Sequence, residues 1–418
     1  TGSENVAIGA FALQANTTGA TNVAVGDEAL NSNTTSANSV AVGSQALKAN
    51  TSAGNVAIGR KAATAITDGV GHVAVGFEAM MTATQHSYST AIGYQALKVM
   101  GAAHANTAVG YHAGLATTTG ASNTFVGSDA GLTNTTGEEN VLVGAAAGDS
   151  VTTGSQNTGV GTNALQATTT ADGNTAIGRS ALYTNTTGAT NTAVGKNALY
   201  NNVDATSNVG VGFSAGLHVT TGSYNTMVGL YAGAAANGIT TGSQNTIIGA
   251  NTSTNAANGV GLITIGYNVA GQEDYHFTFG NGGSHRVYNA FNSNASWTRS
   301  SDERKKTNIV DSTLGLDFIN ELRPVTFNWK DNRDFPETFD SYNADENEMN
   351  TDITMHGMLA QDVKSALDKA GVDTFGGWAE EKDGSQSISQ EMFVHPIIKA
   401  IQELSAEVKE LKAKLKAK

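Results

Sequence analysis

The stretch "NTAVGYHAGLATTTGAS", residues 106–122, decides the fold, because the chain repeats its pattern at once in "NTFVGSDAGLTNTTGEE", residues 123–139. Both units begin with Asn-Thr, carry glycine in fifth place and reach a Thr-Gly turn near their end. Sixteen such units fill residues 1–271, and their anchor glycines lie 17 residues apart except for one spacing of 16 and one of 20. A period this regular predicts a repeat architecture.

Each unit predicts one short strand followed by turns. The pentad N-V-A-I-G at residues 5–9 alternates as a strand does, with apolar Val6 and Ile8 two residues apart. Gly9 follows where the backbone needs a positive φ or a close approach, and Asn-Thr-Thr-Gly supplies turn chemistry. One unit buries about three modest side chains, which cannot offset ordering its residues at about 1–2 kcal/mol each. The coils must therefore stack, and we expect a mainly β rod, a parallel β-roll or solenoid.

Composition divides the chain. Residues 1–271 hold 6 Lys+Arg and 11 Asp+Glu, whereas the remaining 147 residues hold 17 and 25. We therefore expect a β-solenoid fibre over 1–271, a β neck or linker over 272–300, and a globular unit over 301–418. The net charge of −13 argues against nucleic-acid binding, and no apolar run is long enough to insert into a membrane. The start "TGSENVAIG" has neither a methionine nor a signal peptide, so we expect a fragment or a processed chain.

The last 118 residues read as alternating helices and strands. "STLGLDFINEL", residues 312–322, predicts a helix with Ser312 as its N-cap, and "VTFNW", residues 325–329, predicts a strand. "HGMLAQDVKSALDKAG", residues 356–371, is an amphipathic helix or a strand running into one. Residues 397–418 predict a coiled coil, because apolar residues recur there at 4-3-4-3-4 spacing: Ile397, Ile401, Leu404, Val408, Leu411 and Leu415. Ile or Val at a with Leu at d favours two strands in isolated peptides, although the attached domain could override that preference.

Two resemblances follow from these motifs. The pentads "NVAIG", "SVAVG" and "NTAVG" resemble the head repeats of trimeric autotransporter adhesins, which implies a left-handed parallel β-roll assembled as a trimer. The order S-D-x-R-x-K-T-N-I, L-x-P-V-x-F-x-W, G-x-x-A-Q-x-V and coiled coil, over 301–418, resembles the intramolecular chaperone domain of phage tail spikes and fibres, best known from endosialidases.

The second resemblance implies a chaperone that trimerises, drives folding of the fibre and then releases itself. It implies cleavage before Ser301, at the Ser300–Ser301 bond, by a self-acting serine endopeptidase with Lys306 as base and with Asp302 and Arg304 in support. Lys305 departs from the family, which often has an apolar residue there. His356 falls in the family's G-x-x-A-Q neighbourhood, and we interpret it as structural.

The residue types fit that chemistry. Serine needs a base to remove its proton, and lysine serves only when neutral, a form that burial or the nearby charges of Arg304 and Lys305 would favour. A separation of five residues puts Ser301 and Lys306 on one face of neither a helix nor a strand, so the pair must form through a turn or between subunits. The alternative is an ordinary Ser/Asp cap followed by a solvated basic turn.

The repeats offer weaker candidates. Asp27/Glu28 and Glu138/Glu139 are adjacent pairs that we interpret as surface charge, not as a glycosidase pair. The histidines of the repeats share no phase, so we expect surface residues and no metal or cofactor: His72, His86, His104, His112 and His218. The Thr-rich turns could form a ladder that meets ice or a glycan, or could simply be hydrogen-bonded turns. Their sequons, at Asn16 and Asn185 for example, are weak evidence for glycosylation.

We therefore expect a homotrimeric segment of a phage tail fibre or spike, carried on the virion, with a self-releasing chaperone. Its expected partners are its own copies and a host surface glycan or receptor. The alternatives are an adhesin on the bacterial cell surface and a glycan- or ice-binding solenoid with the same terminal domain.

Overall fold

The computed structural model describes the chain except for residues 1, 86, 236–237, 283–284, 291–300, 343, 346–350 and 418. The chain divides into two units, Thr1–Ser300 and Ser301–Lys418.

The first unit is a parallel β-solenoid, which confirms the predicted fold. Each strand pairs in parallel with the strand of the next coil, so that Val6, Ala7 and Ile8 face Val23, Ala24 and Val25. Three-residue strands make up most of the stack: β1 Val6–Ile8, β2 Val23–Val25, β3 Val40–Val42, β4 Val56–Ile58, β5 Val73–Val75, β6 Thr90–Ile92, β7 Thr107–Val109, β8 Thr124–Val126, β9 Val141–Val143, β10 Thr158–Val160, β11 Thr175–Ile177, β12 Thr192–Val194, β13 Val209–Val211, β14 Thr226–Val228 and β15 Thr246–Ile248.

The stack ends in longer strands. β16 (Ile263–Tyr267) pairs in parallel with β17 (His276–Asn281), so the parallel stack continues past residue 271. β18 (His285–Ala290) then pairs with β17 in the antiparallel sense. Nη1 of Arg286 donates a hydrogen bond of 2.8 Å to the carbonyl of Ala270, which ties β18 to the preceding coil.

The buried residue of each strand is its centre. Ala24 is fully buried, whereas Val23 and Val25 on either side are half-buried and point outward. The alternation therefore predicted the strand correctly. The alternating apolar residues, such as Val6 and Ile8, however form the outer face of the coil. The reason is the opposite wall of the coil, where Ala29 and Leu30 fill the interior and leave room for only a small side chain at the strand.

Coil interiors balance large against small residues. Six of the sixteen coils place Leu four residues after the anchor glycine and Ala at the strand centre, as Leu199 and Ala193 do. The coil of β8 reverses this, with Phe125 at the strand centre and Gly131 opposite. A Cβ at Gly131 would lie 2.4 Å from the Phe125 ring. The total side-chain volume inside the coil is thus kept, although the residue at the strand centre and the residue opposite it both change.

Buried asparagines connect the coils just before most of the strands. The backbone N–H of Asn123 donates to Oδ1 of Asn106 at 2.9 Å, and Nδ2 of Asn123 donates to the carbonyl of Gly137 at 2.8 Å. Buried backbone groups of the turns are thereby satisfied by a side chain of the neighbouring coil. His72 occupies this column and is 1% exposed, so the prediction that it lies on the surface is wrong.

The second unit is a small α+β fold. Its elements are a 3₁₀ turn at Glu303–Lys305, α1 (Leu316–Glu321), β19 (Val325–Phe327), a 3₁₀ turn at Asn332–Asp334, β20 (Met355–Gly357), α2 (Ala360–Lys369), β21 (Trp378–Glu380), β22 (Gln386–Ile388), a 3₁₀ turn at Gln390–Phe393, and α3 (Val394–Lys416). β19 pairs with β20 and β21 with β22, both antiparallel. The core gathers around α1, α2 and the start of α3: Leu314, Phe318, Val363, Ala366, Leu367 and Phe393.

The structure corrects one helix prediction and decides between the two forms of another. Ser312 is not the N-cap of α1, because the helix begins at Leu316 after Gly315, and the Ser312 hydroxyl instead accepts from the N–H of Leu314. Residues 356–371 form a strand running into a helix, the second of the two predicted forms. Within the described residues, no helix is both long and apolar enough to cross a membrane.

Candidate active site

The second unit opens with a tight turn. Oδ1 of Asp302 accepts from the backbone N–H of Arg304 at 2.9 Å and so caps the 3₁₀ turn Glu303–Lys305. The N–H of Lys306 donates to the carbonyl of Glu303 at 2.9 Å. An Asp forms such a turn when its carboxylate accepts from the backbone N–H two residues later, and the turn reverses the chain within five residues.

This reversal brings the two predicted catalytic residues together within one chain. Nζ of Lys306 lies 2.6 Å from Oγ of Ser301 and donates a hydrogen bond to it. The distance is within the range expected of a nucleophile and its base. Both side chains are exposed in the single unit. A lysine acts as a base only as the neutral amine, a form that burial favours. The exposed pair therefore has the right distance but lacks the water-excluded surroundings of an active site.

Asp302 and Arg304 form a bidentate ion pair beside that contact. Nε of Arg304 lies 3.0 Å from Oδ1 of Asp302, and Nη2 lies 2.6 Å from Oδ2. The side-chain hydrogen bonds from Arg304, with the backbone bond from its N–H, hold the pKa of the Asp302 carboxyl below its usual value. Arg304 is paired with Asp302, so its guanidinium mainly stabilises the turn. The Asp302 carboxylate offsets the positive charge that Arg304 would otherwise present to Lys306.

The same Asp-x-Arg turn occurs once more in this unit. Asp331 caps the 3₁₀ turn Asn332–Asp334 by accepting from the N–H of Arg333 at 3.0 Å, and Nη2 of Arg333 lies 2.5 Å from its carboxylate. That second turn has Lys330 and Phe335 where the first has Ser301 and Lys306. The Asp-Arg pair is therefore a general turn device, and the Ser-Lys contact distinguishes the first copy from the second.

Other predicted site residues are dispersed. Ser300 lies outside the described residues, as does His86. Glu28 accepts from Lys48 at 2.7 Å, and Glu139 accepts from Gln156 at 3.2 Å, so each carboxylate pairs with the next coil. Among the residues that the structure describes, no group of three or more His, Asp or Glu side chains is placed to hold a metal ion.

The threonine turns are hydrogen-bonded along the stack. The Oγ1 hydroxyls of Thr118, Thr135 and Thr152 each donate to a backbone carbonyl of the next coil, at 2.9–3.1 Å. Asn185 of a sequon is buried, and its Nδ2 donates to the carbonyl of Gly188 at 2.8 Å. These groups therefore serve the turns, and a buried asparagine offers no acceptor for a glycan in the folded coil.

Sequence reasoning missed one contact that organises this unit. Oε2 of Glu403, on α3, accepts from the backbone N–H of Leu316 at 2.7 Å and caps α1 from outside. The two residues are 87 positions apart, and only the spacing of α3 could have hinted at it, because a cap from a distant helix leaves no local pattern.

Comparison with known proteins identifies the region that carries the Ser-Lys contact. Residues 301–372 match the family model described as chaperone of endosialidase, and the match begins at Ser301. Comparisons with curated proteins and with solved structures gave no match. Residues 301–372 are thus similar to the chaperone of endosialidase, and they follow a β-solenoid of about sixteen coils in the same chain.

Proposed function

We propose that the chain is a segment of a homotrimeric phage tail fibre or spike, with a C-terminal chaperone that aligns three chains and then cuts itself off at the Ser300–Ser301 bond. The observation that carries the proposal is the 2.6 Å contact between Lys306 Nζ and Ser301 Oγ, at the first residue of the region that matches the chaperone family. The fibre would belong to the virion and reach a host surface glycan or receptor; an adhesin on the bacterial surface is the alternative.

The outer face of the solenoid supports assembly with further copies. The third residue of many strands is a β-branched apolar residue that remains about two-fifths exposed, and parallel pairing aligns these side chains in one column: Ile58, Ile92, Val160, Ile177, Val228 and Ile248. A continuous apolar stripe of this kind marks an interaction surface, and identical stripes on three chains would cover one another.

The long helix supports the same conclusion. The predicted seam of α3 is exposed in the single chain, with Ile401 61% and Leu411 59% exposed. A helix whose apolar seam is left uncovered by the described residues of its own unit is suited to a coiled coil. Two apolar surfaces, one in each unit, thus support self-assembly, and three chains is the number that the adhesin and chaperone resemblances imply.

A chaperone has a definite task on such a fibre. Neighbouring coils are so similar that chains displaced by one coil would still pair Val on Val and Gly on Gly. Non-local parallel pairing is also slow. A removable trimeric clamp would fix the register before the solenoids associate.

The proposed reaction is acyl transfer followed by hydrolysis. Ser301 Oγ attacks the carbonyl carbon of residue 300 while the neutral Lys306 amine takes the hydroxyl proton. The C–N bond breaks, and the proton passes to the leaving amine of Ser301. Water then hydrolyses the ester, which restores the serine hydroxyl and frees the carboxyl end of the fibre.

The test is a denaturing gel with mass spectrometry of the purified chain. We expect wild type to yield a 118-residue product, residues 301–418, and Ser301→Ala to remain intact while still assembling. Ser312→Ala, an exposed serine in the same segment, is the matched control and should cleave normally. A wild-type trimer that stays intact would contradict the self-cleavage part of the proposal.

A further inference from the structure

The catalytic pair lies at the start of an exposed arm. Residues 306–313 are exposed and form neither helix nor strand, and the chain becomes buried again only at Leu314 and Gly315. Within the second unit, the position of Ser301 and Lys306 therefore depends on where this arm is anchored.

The anchor is made on α3. Leu314 packs into the core with Phe318 and Phe393, and the next backbone groups meet Glu403, whose Oε2 accepts from the N–H of Leu316 at 2.7 Å. A Cβ at Gly315 would lie 2.2 Å from the same oxygen, so glycine is required for the carboxylate to approach. Lys399, one turn earlier on α3, lies 3.7 Å from the other carboxylate oxygen.

Glu403 lies next to the exposed seam of α3, on the side of the helix that faces the unit. The buried Pro396 and Ala400 lie on that side too, while Leu404 beside Glu403 belongs to the exposed seam. One helix thus carries the surface suited to self-assembly on one side and the anchor of the catalytic arm on another. Assembly of α3 into a coiled coil would therefore also fix the buried end of the arm, at Leu314 and Gly315.

We propose that Glu403 is a positioning residue for self-cleavage, through which assembly of α3 sets the place of the Ser301–Lys306 pair. This inference rests on the proposed function. Since the pair is exposed in one unit and needs a drier environment, the proposal requires that it meet a surface formed in the assembled state. Holding the arm's root to α3 directs it to that surface once three helices have joined.

The experiment follows trimer formation and cleavage in the same samples of the full chain. We expect Glu403→Ala to form trimers to the wild-type extent but to release the 118-residue product about tenfold more slowly, because a charge-assisted hydrogen bond has been lost. Gly315→Ala should do the same by displacing the carboxylate. Glu403→Gln, which keeps an acceptor oxygen, should restore cleavage toward the wild-type rate.

The control is Glu410→Ala, on the same helix, where the glutamate pairs with Lys414 and not with α1. Glu403→Ala trimers that cleave at the wild-type rate would overturn the inference, as would a Glu403→Ala chain that loses trimer and cleavage together. Failure of the proposed function looks different, because wild type itself would then form trimers without any product.

Discussion

At the scale of single residues, the interior of the solenoid is governed by paired volumes. Phe125 is fully buried because Gly131 in its own coil and Gly114 in the preceding coil have no side chain, and a Cβ at Gly114 would lie 2.6 Å from its ring. Met227 is accommodated in the same way by Gly233. The large residues at three strand centres thus each depend on a glycine elsewhere in the cross-section: Phe125, Leu142 and Met227.

Exchanging the large and the small residue of one coil tests this dependence. Phe125→Ala should destabilise the solenoid by about 3–5 kcal/mol through the cavity it leaves. Gly131→Leu alone should destabilise it by at least about 1–3 kcal/mol through overpacking. The double variant reproduces the Ala and Leu of other coils, where Leu199 already adopts a left-handed φ of 50°, and should recover much of the loss.

Denaturant unfolding of the three variants supplies the measurement, as a double-mutant cycle. Val209→Ala, at a half-buried strand position outside the apolar stripe, is a control for side-chain truncation away from the interior. Losses that simply add in the double variant would show that the two positions do not share one volume.

The residue scale also shows where sequence reasoning stops. The repeat pentads predicted every coil and its strand, because alternation and glycine spacing are local signals. Which member of the alternation is buried depends on the opposite wall, several residues later, and the outward position of Val25 was therefore not foreseen. His72 was placed on the surface because its column of asparagines is defined by contacts between coils.

At the scale of elements, the opening turn of the second unit depends on one charged pair. The hydrogen bonds from Arg304 lower the pKa of the Asp302 carboxyl, and the same arrangement at Arg333 lowers that of Asp331. A carboxyl whose pKa is lower in the folded turn than in the open chain stabilises the turn above the open-chain pKa. That contribution is lost as the pH falls through the folded value.

We expect both turns to hold at neutral pH and to open as the pH falls below about 4, where free Asp takes up its proton. NMR titration of the carboxyl carbons gives the midpoints directly. Arg304→Gln should raise the pKa of Asp302 toward its ordinary value and leave Asp331 unchanged, while Arg333→Gln should do the reverse. An Asp302 midpoint that Arg304→Gln does not move would refute the role of the pair.

The element scale also marks the limit of the site prediction. The family resemblance implied Ser301 and Lys306 as partners, and their separation of five residues left open whether a turn or a second subunit brings them together. Asp302 supplies the turn locally. The start of α1 was misplaced at Ser312, because the cap that ends the irregular segment comes from Glu403 on a helix near the other end of the unit.

At the scale of the whole molecule, the proposed self-assembly rests on the apolar seam of α3 and on the outer stripe of the solenoid. Replacing Leu404 and Leu411 together with lysine should place charge in the seam and leave the chain monomeric or aggregated, because six buried ammonium groups in a trimer cannot be solvated. Light scattering after size-exclusion chromatography measures the mass. Gln402→Lys, exposed on the opposite side of the helix, should remain trimeric.

A double-lysine chain that still forms stable trimers would show that the seam is not the contact between copies. The same samples report on cleavage. If the catalytic pair depends on assembly, the monomeric variant should also fail to release residues 301–418.

The reversal of β18 has a consequence for the length of the fibre. Up to β17 every strand pairs with its neighbour in parallel, whereas β18 runs the other way. β18, with the sequence HRVYNA, also lacks the pentad and the anchor glycine on which the coils align. A coil from another molecule that arrived at β18 would find no matching strand on which to continue the column in register, which disfavours end-on growth of the kind seen in amyloid.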